Sequence, residues 1–237
     1  MSQTSFSPKF AQETESMSGQ HWYGAYPALV TDIRDPDQQG RVKVTLPWAK
    51  SPLGEQYEAW ARLATLAAGI NRGTWFIPDV NDEVLVVFQA GDPSLPFVVG
   101  SLWNGRDNPP MSMDQAGNNN LKVIRSRNGT TITLDDTSGS EQFSVTTPGG
   151  AKLILRDGPS RCEITDSNGN TIKMEAFGIT ITASSKIVLT ASTVEISAGE
   201  MTANCGQVKF SGTVMADTIV VNNVVAASYT PGAGNIL

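Results

Sequence analysis

Histidine is nearly absent from this chain, and so are most of the residues from which catalytic sites are assembled. Its 237 residues hold one His and two Cys. His21 has no nucleophile elbow or orienting motif beside it, so no catalytic triad can be built and it is read as linker or surface. Cys162 and Cys205 stand far apart without a CxxC pair, which predicts two small buried thiols and neither a disulfide nor a metal site. No run of five like charges occurs, and the formal charge is −6 with a pI near 4.8. That balance argues against nucleic acid as a partner, because affinity for phosphates needs clustered Lys and Arg. The first twenty residues lack the basic start and apolar stretch of a secretory signal, and no apolar run approaches the ~18 residues that span a bilayer. The chain is expected to be made in the cytoplasm without a signal peptide.

Aromatic residues are missing from one half. Trp22, Tyr23, Tyr26, Trp48, Tyr57, Trp60, Trp75, Phe76, Phe88, Phe97 and Trp103 precede residue 110, whereas only Phe143, Phe177, Phe210 and Tyr229 follow it. The hydrophobic share of 40% is ordinary for a globular protein, so both halves are expected to fold. The first can build a conventional aromatic core, and the second cannot. Asn104 to Asn120, with its Pro-Pro pair and run of Asn, reads as the break between them.

In the first half, short segments rich in Val, Ile and aromatics are bounded by turn residues: PALVTDI, GRVKVTLPW, AWARLATLA, GTWFIP, DEVLVVFQ and PFVVGSLW. Five or six strands in this length predict a small antiparallel barrel. EAWARLATLAAG has enough Ala and Leu for a helix, but its flanks favour a strand.

The second half repeats a shorter word. ITITAS, IVLTAS, VEISAG, MTANCG and VKFSG begin at residues 179, 187, 194, 201 and 208, a step of seven or eight. Each carries two apolar side chains two positions apart, on one face of a strand. A heptad helix is rejected, because positions i and i+2 do not share a helix face and Thr, Val and Ile favour strands. Upstream the units are longer, and Asn128-Gly129 and Asn168-Gly169 supply the residues that tight turns with positive φ require.

Each such unit offers two modest apolar residues and a turn, so one chain alone would be a meander with a greasy face and open edges. Three identical strips round a common axis solve this, each supplying one wall of a shared core. A narrow axis admits Val, Ile, Thr and Ala and leaves little room for Trp or Phe. A single-chain β-helix is the rival, but its coils need roughly twenty or more residues. The core positions of the three-chain prism are Ile179, Ile181, Ile187, Leu189, Val194, Ile196, Val208 and Phe210.

Several stretches of the first half match a known family. Tyr23 to Trp48 (YGAYPALVTDIRDPDQQGRVKVTLPW) and Trp75 to Pro110 (WFIPDVNDEVLVVFQAGDPSLPFVVGSLWNGRDNPP) resemble the OB-fold domain of the central spikes of contractile injection machines. That family includes phage baseplate assembly protein V and the VgrG proteins of type VI secretion. Asn81 stands where the family usually has Gly, and Asn also tolerates positive φ.

The resemblance implies an all-β chain with an N-terminal OB-fold barrel and a C-terminal intertwined trimeric β-helix needle. The expected divisions are an arm at 1–21, the OB fold at 22–108, a linker at 109–120, the needle at 121–228 and a blunt tip segment at 229–237. It also implies a homotrimer mounted on a separate trimeric hub, with Trp22, Tyr23 and Tyr26 as the hub-facing region. The usual phage metal tip needs a His-x-His pair that this chain lacks. A separate PAAR-repeat tip protein is therefore expected to cap it, docking on Tyr229, Thr230, Pro231, Asn235, Ile236 and Leu237. Effector cargo and the target envelope complete the expected partners, and no cofactor, metal or catalytic residue is expected.

Competing readings are weaker. Residues 22–108 hold seven Lys or Arg against ten Asp or Glu, a poor nucleic-acid groove for an OB fold. A tailspike that binds or cleaves carbohydrate is the alternative function. Its paired carboxylates would have to come from Asp135, Asp136, Asp157, Glu163 and Asp166, each in or beside a turn signal. DSNGN at 166–170 lacks the spaced carboxylates of a calcium loop and reads as a hairpin turn.

Overall fold

The computed structural model describes residues 21–50 and 54–228, and among them no α-helix occurs. The chain divides after Lys186 into two units.

The first unit opens with a closed five-stranded barrel in the order β1-β2-β3-β7-β6. Its strands are β1 (Ala25–Asp32), β2 (Val42–Lys50), β3 (Gln56–Leu63), β6 (Glu83–Phe88) and β7 (Pro96–Ser101). Neighbours are antiparallel except β3 and β7, which pair in parallel and close the barrel. Alternation sorts the side chains: Ala28 and Val30, Val42, Val44 and Leu46, Val84 and Val86, and Val98 point inward and are buried. The segment with both helix and strand character forms no helix: residues 58–63 belong to strand β3, whose Tyr57 and Ala61 enter the core.

Trp22 plugs one end of the barrel. Its ring centroid lies 5.2 Å from those of both Tyr57 and Phe88, edge-on to the latter, and the Trp22 backbone N–H donates to the Gly91 carbonyl at 2.8 Å. The Tyr57 hydroxyl donates to the Pro93 carbonyl at 2.5 Å. Burial, with a smaller contribution from Asp92, pushes that phenol well above its ordinary range.

The expected strand at GTWFIP does not enter the barrel. Only Gly73 pairs, in a small hairpin of β4 (Ala68–Gly69) with β5 (Arg72–Gly73). The Thr74 N–H bonds to the Ala67 carbonyl and its hydroxyl meets Thr65 and the Ala67 N–H, so the groups that would extend a barrel strand are engaged in the hairpin stem. Trp75 lies outside the core over Gly40, where an added methyl would sit 3.1 Å from the ring.

A seven-stranded antiparallel meander follows in simple sequence order: β8 (Leu121–Arg125), β9 (Thr131–Asp135), β10 (Gln142–Thr146), β11 (Lys152–Arg156), β12 (Arg161–Thr165), β13 (Thr171–Glu175) and β14 (Gly178–Thr182). Three turns line one edge, at Ser126–Thr130, Thr147–Ala151 and Asp166–Asn170, and each closes with a glycine at φ of 94°, 89° and 84°. The positive φ falls on the glycine and not on the preceding Asn128 or Asn168, as in a turn that ends in a left-handed bulge residue. Loops 136–141, 157–160 and 176–177 line the opposite edge. Arg127 in the first turn meets Asp79 of the barrel at 2.9 Å.

The second unit begins at Ile187, and none of its described residues belongs to a strand. The repeats from Ile187 onward therefore do not pair within the chain, contrary to a meander continued to the end. Their large apolar residues all lie exposed, so the single chain gives them neither a ladder partner nor a core.

Candidate functional site

The meander sorts its side chains more sharply than the barrel does. Directly paired residues of antiparallel strands share a face, so the registers define two cross-strand rows on one side of the sheet. The row near the glycine edge is Ile124, Ile132, Val145, Leu153, Ile164, Ile172 and Ile181. The row beside it runs through Lys122, Leu134, Phe143, Leu155, Cys162, Met174 and Ile179. Thirteen of these fourteen side chains are apolar, and none is fully buried. An apolar face of this extent, left to water, marks an association surface.

The reverse face is polar. It carries Thr133, Ser144, Glu163, Lys173 and Thr180 in one row and threonines 131, 146, 165, 171 and 182 in the next, with Leu121, Val123 and Ile154 as apolar exceptions. Glu163 is held between Arg161 at 3.2 Å and Lys173 at 3.7 Å and accepts a hydrogen bond from the Thr165 hydroxyl. Burial would raise its carboxyl, but the Thr165 hydroxyl and the two cations outweigh that and hold it below the ordinary range. Polarity on one face and apolarity on the other mean that the sheet has a wet side and a side that needs covering.

Of the expected core positions, Ile179 and Ile181 lie on this apolar face, 68% and 58% exposed. Ile187, Leu189, Val194, Ile196, Val208 and Phe210 lie in the second unit, between 56% and 76% exposed. Cys162 is half-buried on the apolar face and Cys205 is exposed, so the expectation of two buried thiols is not met within one chain. Tyr229 to Leu237, the expected docking segment, and the arm up to Gln20 lie outside the described residues.

Trp22, expected in the hub-facing region, is buried in the single chain, where the barrel closes around it. Tyr23 remains 71% exposed and stacks on His21, while Tyr26 packs against the core and donates its hydroxyl to the Tyr23 carbonyl. The barrel's outer wall has an open groove of about 480 Å³ lined by Pro27, Ala28, Leu29, Pro47, Trp48 and Glu83. Its one carboxylate, Glu83, accepts a hydrogen bond from the Asn104 amide at 2.7 Å.

Of the carboxylates considered for carbohydrate cleavage, Asp135 and Asp166 accept backbone N–H groups of their own turns. Asp135 accepts from the Thr137 hydroxyl and N–H, Asp136 pairs with Lys122 at 2.7 Å, and Asp157 borders a hollow at the sheet edge. Asp166 accepts from Asn170 and Asn168 within its own turn, which lowers its carboxyl to about 2. No group of three or more metal-ligating side chains gathers among the described residues, and no described helix is long and apolar enough to cross a membrane.

Residues 26–103 match the type VI secretion system/phage-baseplate injector OB domain, and residues 142–202 match the phage baseplate V C-terminal trimerisation domain. The second match spans β10 to β14 and enters the second unit. The type VI secretion system spike protein VgrG1a of Pseudomonas aeruginosa is 33% identical over 116 residues, covering 46% of this chain and 18% of that protein. Two proteins of Vibrio cholerae serotype O1 are similar: spike protein VgrG3, 32% identical over 111 residues, and the actin cross-linking toxin VgrG1, 30% identical over 111 residues. These matches cover 45% of this chain and 11% and 10% of the two proteins. The chain thus spans a small part of the length of the curated relatives it matches.

Proposed function

We propose, from the premise that the chain is a VgrG-like baseplate spike in both of its matched domains, that it forms a homotrimeric central spike of a type VI or phage-tail-like contractile system. The observation that carries this reading is the pairing of an uncovered apolar sheet face with a following unit whose described residues have no ladder of their own, both overlapped by the matched trimerisation domain. Three copies would turn their apolar faces to a common axis, and the repeats from Ile187 onward would find their hydrogen-bond partners in neighbouring copies.

In this reading the protein's work is mechanical. Sheath contraction drives a tube forward, and the spike at its end concentrates the force on a narrow rigid point that breaches a target envelope. Rigidity comes from strand pairing without free edges and from β-branched packing along the axis. From Ala176 onward only Lys186, Glu195, Glu200, Lys209 and Asp217 are charged, which keeps the shared core free of unpaired charge. The barrels would sit on a separate trimeric hub, and a PAAR-repeat tip protein would cap the far end at residues 229–237. Intertwined chains must disentangle before they separate, so the trimer would be stable for kinetic reasons.

Light scattering of the purified chain tests the reading, with an unheated sample beside a boiled one on a denaturing gel. A mass near three times 25.3 kDa and a slow SDS-resistant band are expected. A monomer mass would overturn it.

A further inference from the structure

Phe177 is the most exposed aromatic residue of the described chain. It occupies the two-residue loop Ala176-Phe177 between the paired Glu175 and Gly178, and its exposure is 104% of the reference value. Hairpin tips ordinarily carry Gly, Asn or Asp, and a Phe held open there forfeits the burial that usually justifies an aromatic ring. It does not fold back on its own sheet.

Two features show where such a ring would go. Strands β13 and β14, which the Phe177 loop joins at one edge, carry Ile172 and Ile181 at the other. These isoleucines are direct cross-strand partners, 40% and 58% exposed on the apolar face. Beside them, Gly169 has no atom within 4 Å of where a side chain would begin, so the corner is open. The loop edge and the glycine edge are different surfaces, and a cyclic assembly joins different surfaces head to tail.

We infer that three copies close edge to edge in one rotational sense, Phe177 of each seated on Ile172 and Ile181 of the next. This rests on the trimer reading, and the two stand apart in the test below. Rotation about a three-fold axis without translation keeps equivalent strands level, so the loop between β13 and β14 of one copy arrives at the glycine-edge ends of β13 and β14 of its neighbour. Both surfaces lie inside the stretch that matches the trimerisation domain. A two-fold arrangement would join like edges instead. It would bring Phe177 toward the hollow of about 400 Å³ on its own edge, lined in part by Leu155, Cys162 and Met174, and would stop at dimers.

The test places the photoreactive amino acid p-benzoylphenylalanine at position 177 in the full chain, which preserves the ring while marking its neighbour. After illumination, boiled gels are expected to show covalent dimers and trimers, with fragment spectra mapping the new bond to the Ile172 or Ile181 side of the sheet. Bonds mapping to Leu155, Cys162 or Met174, or no bond between copies in a protein of trimer mass, would overturn the inference and leave the trimer standing. A monomer mass for the unsubstituted chain would overturn both. In parallel, Phe177→Ser is expected to speed heat dissociation of the SDS-resistant trimer on the order of tenfold, and an unchanged rate would also count against the contact.

Discussion

Ile172 on β13 faces Ile181 on β14 across the sheet, and both point to the side that the single chain leaves uncovered. Ile181→Asp would place a carboxylate there in each of three copies, where burial without a partner costs more than the ~2–7 kcal/mol of an unpaired neutral polar group. The soluble trimer is expected to disappear. Thr180→Asp, one residue away on the polar face and opposite Lys173, is expected to keep it. Light scattering on the pair distinguishes a face-specific effect from a general intolerance of charge, and trimer yield from the Ile181 variant would sink the shared-core reading.

A second prediction concerns the barrel. Asp35 accepts hydrogen bonds from the Asp37, Gln39 and Arg41 N–H groups and pairs with the Arg41 guanidinium at 2.7 Å, with 5% and 12% of the two side chains exposed. Burial would raise its carboxyl, but Arg41 and the backbone donors hold it well below the ordinary range. Its contribution is complete above the unfolded value near 4 and is lost as pH falls through the lower folded value. Arg41→Ala, which leaves the carboxylate buried without its partner, is expected to cost roughly 3 kcal/mol in denaturant unfolding followed by Trp fluorescence. Asp35→Asn should flatten the loss of barrel stability below about pH 4.

Two backbone positions give opposite signs. Asn81 sits at φ +75° and Gly150 at φ +89°. Asn81→Gly relieves a left-handed residue and is expected to be neutral or stabilising by up to about 1 kcal/mol, whereas Gly150→Ala should cost about 1–2 kcal/mol. The nearest atom to a Gly150 side chain lies 4.0 Å away, so that cost is conformational rather than steric. Thermal unfolding of both variants checks the signs.

Deleting residues 229–237 is expected to leave the solution mass trimeric and to abolish co-purification of a PAAR-repeat tip protein. Capping that survives the deletion would place the docking surface elsewhere.

Much of the fold was legible because alternation is a local property. Val42, Val44 and Leu46, or Val84 and Val86, announce strands whose inner face the barrel buries as the pattern requires. Asn81 and Gly169 likewise mark their turns, since left-handed backbone leaves few choices of residue. The Thr74 stem was not legible: GTWFIP has strand composition, and only the hydrogen bonds of Thr74 to Ala67 and Thr65 divert it into a separate hairpin. The burial of Trp22 was not legible for a related reason, because a tryptophan reads the same in sequence whether it plugs a barrel or faces a partner.

The sequence by itself determined that strand-patterned repeats of small β-branched residues fill much of the second half and that no single chain offers them a conventional core. Only the tertiary structure decided which residues share a face, that the uncovered face runs from β8 to β14, and that strand pairing among the described residues ends at Thr182. Periodicity fixes how side chains alternate along one strand. Register fixes which strands and faces meet, and it depends on turn geometry and partners that lie outside any local window of sequence.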